Sequence, residues 1–219
     1  MLLASLRKVK EEKMDYIKKY LDQTSKIAQM LDENEITNAV EVLKNMRQNR
    51  GRLFIVGVGG GAGNASHAVN DFRKICAIEA YTPTDNVSEL TARINDDGWN
   101  SVFKNWLRVS NLSSKDVVMV FSVGGGSIEK NISVNLVLAL KLAKEVGSKI
   151  IGIVSRDGGY TKEVGDCCIL IPTLSPETVT PHAEEFQAVI WHLLVSHPGL
   201  QVNEMKWESE TKTTTIRSS

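Results

Sequence analysis

From Arg52 onward, short apolar runs alternate with longer stretches of helical periodicity. The apolar runs lie near 52–57, 77–81, 116–122, 149–154 and 167–171 and are predicted as strands. Helices are predicted near 64–75, 87–94, 99–110, 128–146 and 181–196. Leu53-Phe54-Ile55-Val56 and Val117-Val118-Met119-Val120-Phe121 are apolar at every position, so both faces of their sheet must be covered. Gly147 stands where a helix C-terminal glycine belongs, and Thr180-Pro181 has the form of an N-cap followed by proline. The pattern predicts an α/β fold: a five-stranded parallel sheet between two helical layers.

Before the first strand, residues 1–50 read as two amphipathic helices. Tyr16, Ile17, Tyr20 and Leu21 recur at helical spacing, extended by Ile27, Met30 and Leu31, and Asn34-Glu35 breaks the run. The second helix runs from Ile36 through Val40, Val42, Leu43 and Met46, and Gly51 stops it. Such a pair either meets a partner subunit or adds a helix layer to the sheet. The chain thus divides into helices over 1–50, a sheet domain over 51–200 and a polar tail over 201–219, expected to be loose.

Two strand-to-helix junctions carry glycine clusters. The first is Gly57-Val58-Gly59-Gly60-Gly61-Ala62-Gly63-Asn64, the second Ser122-Val123-Gly124-Gly125-Gly126-Ser127. Glycine lets the backbone approach a ligand, and a following helix start aims N–H groups at one point. In parallel sheets ligands bind at the carboxyl ends of strands, where both clusters fall. Together they predict one phosphorylated ligand gripped by both loops, with the helix near Ile128 assisting. The first cluster also matches the dinucleotide fingerprint GxGxxG/A, with Glu79, at the end of the next strand, as the ribose-binding acid. A nicotinamide-dependent oxidoreductase is therefore a rival, although it leaves the second loop unexplained. No Gly-Lys-Ser/Thr follows either cluster, which excludes a P-loop.

Composition narrows the classes. Twenty-six basic and 26 acidic side chains give zero formal charge over 219 residues, so nucleic-acid binding is not expected. No apolar run reaches the roughly 18 residues of a membrane span. Arg7-Lys8-Val9-Lys10 interrupts the first apolar residues, so no signal peptide is expected. Three cysteines, two of them the adjacent Cys167 and Cys168, form neither a disulfide framework nor a CxxC motif, which suits a reducing cytoplasm.

His67 and Asp71 stand at i and i+4 on one helix face, and Glu184 and His192 are two turns apart on another. Where those helices meet, two imidazoles and two carboxylates converge as a first shell for zinc or a similar divalent ion. The alternative is that both histidines are hydrogen-bonded helix residues at a subunit or layer contact.

The ordered motifs resemble the sugar isomerase (SIS) domain, most closely the phosphoheptose isomerases, which convert sedoheptulose 7-phosphate to a manno-heptose 7-phosphate. Gly57 to His67 is similar to the family's GNGGS loop and its helix histidine. Val87 to Trp99 resembles its S-x-L-T-x-x-x-N-D-x-G-[YFW] segment, Ser122 to Ser127 its STSGNS, and Arg156-Asp157-Gly158-Gly159 its K-D-G-G turn. The likeness spans about residues 10–197. It implies a three-layer α-β-α sandwich of flavodoxin-like kind, a homotetramer with sites at subunit contacts, and zinc held by His67, Asp71, Glu184 and His192. It further implies Asp71 and His192 as catalytic acid and base. Substrate binding falls to Gly59, Gly60, Gly61, Asn64, Asn86, Ser88, Asp97, Ser122, Gly124, Gly125, Gly126, Ser127 and Glu184. The chain departs from the family where Gly61 and Gly124 replace serines, Asp71 a glutamate, Glu184 a glutamine and Asn86 an aspartate. A non-catalytic SIS module that senses a sugar phosphate therefore stands as a second reading. Asn64 and the Asn95-Asp96-Asp97-Gly98 turn also have a purely local reading, as helix-end and turn contacts.

Overall fold

The computed structural model describes the backbone of residues 2–204 and side chains from Asp15 onward. In chain order its elements are α1 (Leu2–Met30), α2 (Glu33–Gln48), β1 (Leu53–Gly57), α3 (Gly60–Cys76), β2 (Ala80–Tyr81), a 3-10 turn (Pro83–Asp85) and α4 (Val87–Asp97). There follow α5 (Val102–Val109), β3 (Val117–Ser122), α6 (Val134–Val146), β4 (Lys149–Ser155), α7 (Gly159–Val164), β5 (Cys167–Ile171) and α8 (Val179–Ser196).

The five strands are all parallel, in the order β2-β1-β3-β4-β5. Side chains alternate across them. Leu53, Ile55, Met119, Phe121, Ile151 and Ile169 join α2, α3 and α8 in one core layer. Phe54, Val56, Val118, Val120, Ile150 and Val154 join α5 and α6 in the other. The predicted α/β sandwich is thus the observed one. Its chain order reverses between β1 and β3, which opens a crevice at their carboxyl ends.

Element boundaries moved for local reasons. Alpha-helix α2 starts early because the Asp32 carboxylate accepts the N–H groups of Asn34 (2.9 Å) and Glu35 (3.4 Å). The strand predicted over 77–81 shrinks to two residues: Ala77 adopts φ 51, and the Ile78 N–H caps Phe72 O at 3.1 Å. Helix α3 begins at Gly60, inside the first glycine cluster. The predicted helix start near Ile128 is not observed. Ser127 and Ile132 exchange backbone bonds of 2.8 and 2.9 Å, Ser133 is left-handed, and α6 begins at Val134. Thr178, not Thr180, precedes α8, and α7 was too short for a periodicity to declare it. The first residues of the predicted tail are docked, since the Val202 and Asn203 N–H groups both donate to Ile75 O at 3.0 Å. Beyond residue 204 the tail lies outside the described residues.

Helix α1 is tied to α8 by polar contacts. His182 is buried with Nε2 3.2 Å from Gln23 Oε1, which also accepts the Thr178 hydroxyl at 3.0 Å. The Tyr20 hydroxyl donates to Glu185, and burial together with that carboxylate pushes the phenol up to about 12.

The amino ends of three strands are locked by Asp116, 2 % exposed. Its carboxylate accepts the Arg52 N–H (2.8 Å), the Arg52 guanidinium (2.9 Å), and the Ser113 N–H (2.9 Å) and hydroxyl (3.0 Å). Its carbonyl takes the Ser148 hydroxyl at 2.8 Å. Burial alone would raise this carboxyl, but the donors from Arg52 and Ser113 together hold it below the usual aspartate range. Asp116→Ala leaves a partly buried guanidinium unpaired and is expected to cost about 3 kcal/mol of unfolding free energy at neutral pH. The folded carboxyl titrates below the unfolded one, so its contribution is complete above about pH 4 and lost as pH falls through the lower folded value. Denaturant titrations of wild type and variant from pH 7 to 3 check this: the gap should close with acid.

Candidate active site

Helices α3 and α8 cross with a cluster of titratable side chains between them. Asp71 from α3 places Oδ2 3.5 Å from His67 Nε2 and 3.5 Å from His192 Nε2. The carboxylate is nearly covered, its side chain 13 % exposed, while the two imidazoles are 57 % and 54 % exposed. The donor atoms of the three residues all lie within 4.8 Å of one another.

Trp191 organises this cluster. Its indole N–H donates to Asp71 Oδ2 at 3.0 Å, and the Asn70 amide donates to Oδ1 at 3.1 Å. The indole stacks on Phe121 from the sheet (5.9 Å, 20°) and abuts both imidazoles, at 5.3 Å to His67 and 4.7 Å to His192. A buried carboxylate oriented by two donors, below two accessible imidazoles, is an acid–base group within reach of a bound molecule. Two nitrogens and one oxygen also form a donor set that suits zinc with a coordination position left open. The group can therefore hold a metal ion. Glu184 lies outside it, two turns or about 12 Å back along α8.

A cavity of about 960 Å³ opens at the carboxyl ends of β1 and β3. Val58 and Gly61 line it from the first loop, Ser122, Gly124, Gly126 and Ser127 from the second, and Glu184 and Gln187 from α8. His67, Asp71 and His192 are not part of its wall. Cavity and cluster are neighbours along α8, with Glu184 on the cavity side.

The two glycine loops differ in what their glycines accommodate. In the first, the N–H groups of Gly61, Ala62 and Gly63 turn inward onto Val58 O and Gly59 O at 3.0–3.2 Å. A Cβ on Gly60 would stand 2.3 Å from Glu184 Oε2, and one on Gly61 would stand 2.5 Å from Phe121 O. These glycines let α3 approach the sheet and seat the chain's own carboxylate at the positive end of α3. The Gly59 and Gly60 N–H groups find no acceptor among the described residues, so the first loop keeps two N–H groups beside the Glu184 carboxylate.

The second loop is clamped by the turn before α7. Gly125 and Gly126 have φ 69 and 85, and a Cβ on Gly125 would lie 1.9 Å from Gly158 O. Gly125 O accepts the Thr161 N–H and hydroxyl (3.0 and 2.8 Å), and Gly126 O accepts the Tyr160 N–H at 2.9 Å. With these carbonyls engaged in the turn, the Gly124 and Gly126 N–H groups find no acceptor among the described residues. The Ser122 and Ser127 hydroxyl oxygens accept the Gly125 and Lys130 N–H groups at 3.1 and 3.2 Å.

Other predicted residues have local partners. The Asn64 amide ties α3 to α8, donating to Glu184 O (2.9 Å) and Gln187 Oε1 (2.8 Å). Asn86 is the N-cap of α4, accepting the Glu89 N–H at 3.2 Å, and Asp97 accepts the Asn105 amide at 3.2 Å. Ser88 is exposed on α4, and none of these last three lines the cavity. Glu79 sits at the amino end of β2, not its carboxyl end: Leu53 is level with Ala80, so Glu79 is about five residues, or roughly 16 Å, from the Gly57 end of β1. A ribose-binding acid belongs at the glycine end, which removes the basis of the dinucleotide reading. Sequence reasoning missed Trp191 and Gln187, whose apolar neighbours on α8 mark them only as core. Gln187 is fully buried, with an Nε2 that lacks a partner among the described residues.

The sheet order, the crevice between two glycine loops and the crossed-helix cluster define an α/β protein of the sugar isomerase class. A family model described as the SIS domain matches residues 15–155, and the chain belongs to that family. It is similar to the phosphoheptose isomerase of Citrifermentans bemidjiense, 30 % identical over 167 residues, covering 73 % of this chain and 80 % of that protein. It is also similar to the lincomycin biosynthesis protein LmbN of Streptomyces lincolnensis, 26 % identical over 198 residues, covering 85 % and 70 %. The phosphoheptose isomerase GmhA from Neisseria gonorrhoeae shares the fold, with TM-score 0.71 at 24 % identity over 85 % of this chain and 97 % of that one.

Trp191→Phe keeps an aromatic ring but removes the indole N–H that donates to Asp71. Divalent-metal affinity, measured by competition with a chromophoric chelator, is expected to fall about 10-fold or more without loss of the folded state.

Proposed function

We propose that the protein is a sugar-phosphate aldose–ketose isomerase that converts sedoheptulose 7-phosphate to D-glycero-D-manno-heptose 7-phosphate. The observation that carries this reading is the shared Asp71 carboxylate, 3.5 Å from each of two accessible imidazoles and beside a glycine-lined cavity. Likeness to named phosphoheptose isomerases supports the substrate class.

The reaction moves a proton from C1 to C2 of the ketose through an enediolate, and a second proton from O1 to O2. His192, half exposed, takes the C1 proton and returns it to C2. Asp71, fixed by the Trp191 and Asn70 donors, relays the proton between the oxygens. His67, Asp71 and His192 fit a divalent cation by donor type and spacing, and zinc is the ion proposed; a lone pair given to such an ion would not be free for a proton, so holding the metal and carrying the proton are alternative states of these residues. When bound, such an ion would supply Lewis-acid polarisation of the substrate carbonyl. The second glycine loop, with two unengaged N–H groups and two serine hydroxyls, binds the phosphoryl group.

The reading extends to assembly. Tyr16, Ile17 and Leu21 form an exposed apolar row on α1, and no residue of α4 is buried. These surfaces support residues 1–50 as an oligomerisation layer around the domain of residues 51–200, and the reading places a homotetramer in the cytoplasm. No helix among the described residues is long and apolar enough to cross a membrane.

Purified protein should convert sedoheptulose 7-phosphate, with exchange of the transferred proton visible by NMR. Asp71→Asn and His192→Ala should each lower kcat by about 10²- to 10⁴-fold. Absence of turnover with and without zinc overturns the enzyme reading, and binding without turnover favours a sensor module. In sedimentation velocity the wild type should run as a tetramer and Leu21→Asp as smaller species; a wild-type monomer removes the assembly.

A further inference from the structure

We infer that Arg156 is the cationic ligand of the substrate phosphoryl group, held against the second glycine loop. This deepens the isomerase reading and rests on it for the identity of the sugar, though not for the anion.

Arg156 follows β4 and lines the cavity together with Ser122, Gly124 and Ser127. Its backbone is left-handed, at φ 55, a conformation that costs energy for a residue with a Cβ and persists only where its surroundings enforce it. The surroundings do so here. The Ser155 N–H donates to Val123 O at 3.0 Å, and the Arg156 N–H donates to Thr173 Oγ1 at 3.2 Å. On the other side, Gly159 is pressed against the loop so closely that a Cβ there would lie 2.3 Å from Gly124 O. The backbone from which the Arg156 side chain springs is thereby fixed relative to the loop.

Gly124 behaves unlike its neighbours. Its φ is not positive, and a Cβ built on it would meet a single group within 4 Å: the Arg156 δ-carbon, at 3.9 Å. Backbone geometry therefore does not require glycine at this position. The arginine stem runs within van der Waals range of this position, two residues from the unengaged Gly126 N–H.

The guanidinium forms no ion pair among the described residues, although its chain neighbour is an acid. Asp157 turns its carboxylate back onto the Gly159 N–H at 3.1 Å. The remaining charges on the cavity wall are Lys130 and Lys141 against Glu129, Glu163 and Glu184, so the wall as a whole does not select an anion. Selection falls to the loop: two N–H groups, two hydroxyls and one guanidinium carried on a fixed backbone form a site for a tetrahedral dianion. A planar guanidinium can bind two phosphoryl oxygens at once.

The test titrates inorganic phosphate into the full chain by calorimetry, comparing wild type, Arg156→Lys and Arg156→Asn. Asparagine tolerates the left-handed backbone, so this variant removes the cation without forcing the turn to refold. Phosphate affinity is expected to fall about 10-fold in Arg156→Asn and less in Arg156→Lys, with unfolding midpoints unchanged. With sedoheptulose 7-phosphate, KM should rise about 10-fold in Arg156→Asn while kcat changes less. Equal phosphate affinity in all three proteins, or none in the wild type, overturns the inference. Arginine-dependent phosphate binding without any turnover of the sugar leaves the inference standing and removes the isomerase reading alone.

Discussion

The contact between α3 and α8 is the constraint on which the site depends. Three separate pairings cross it in register. Glu184 meets Gly60 at the start of α3, Asn64 holds Glu184 O and Gln187 one turn on, and Asp71 receives the Trp191 N–H two turns further. Each needs a small or polar residue on α3 opposite a longer one on α8. A shift of one residue along either helix would strand a buried carboxylate and a buried amide without partners, at about 1–3 kcal/mol or more for each group. The register of this contact therefore fixes where two imidazoles and one carboxylate come together.

Much of the scaffold was legible in the chain, and the reason is physical. Strands covered on both faces must be apolar at every position, so Leu53 to Val56 and Val117 to Phe121 declare themselves whatever their partners. The i, i+4 spacing of His67 and Asp71 places them on one face without reference to tertiary structure. What resisted reading depends on a distant neighbour. The segment from Ile128 to Asn131 carries helix-compatible residues, yet it turns because Ser127 pairs with Ile132. Trp191 reads as one more core aromatic until Asp71 is seen beneath its N–H.

The glycines show the same limit more sharply. Both clusters read alike as ligand-approach loops, but glycine has two uses, admitting a ligand and admitting another part of the chain. Gly60, Gly61 and Gly125 serve the second use, against Glu184, Phe121 and Gly158 respectively. Only the position of the neighbour distinguishes these uses, and the neighbours lie between 33 and 124 residues away in sequence. The apparent dinucleotide fingerprint fails by the same logic, since Glu79 has a suitable spacing along the chain but stands at the wrong end of its strand.

This difference between the loops sets the direction of the bound substrate in the proposed reaction. The positive end of α3 already faces the Glu184 carboxylate, so a phosphate dianion there would meet a like charge at close range. Both loops have N–H groups without acceptors among the described residues, but the second, from Ser122 to Ser127, carries no such carboxylate. In the proposed reaction an anion entering the crevice would meet the Glu184 carboxylate on the β1 side and no loop carboxylate on the β3 side. The uncharged end of the sugar is left to extend past Glu184 toward Asp71 and His192, where the proton must move. On the proposed reading, a glycine loop that holds a carboxylate would act in binding by disfavouring the phosphorylated end of the substrate there.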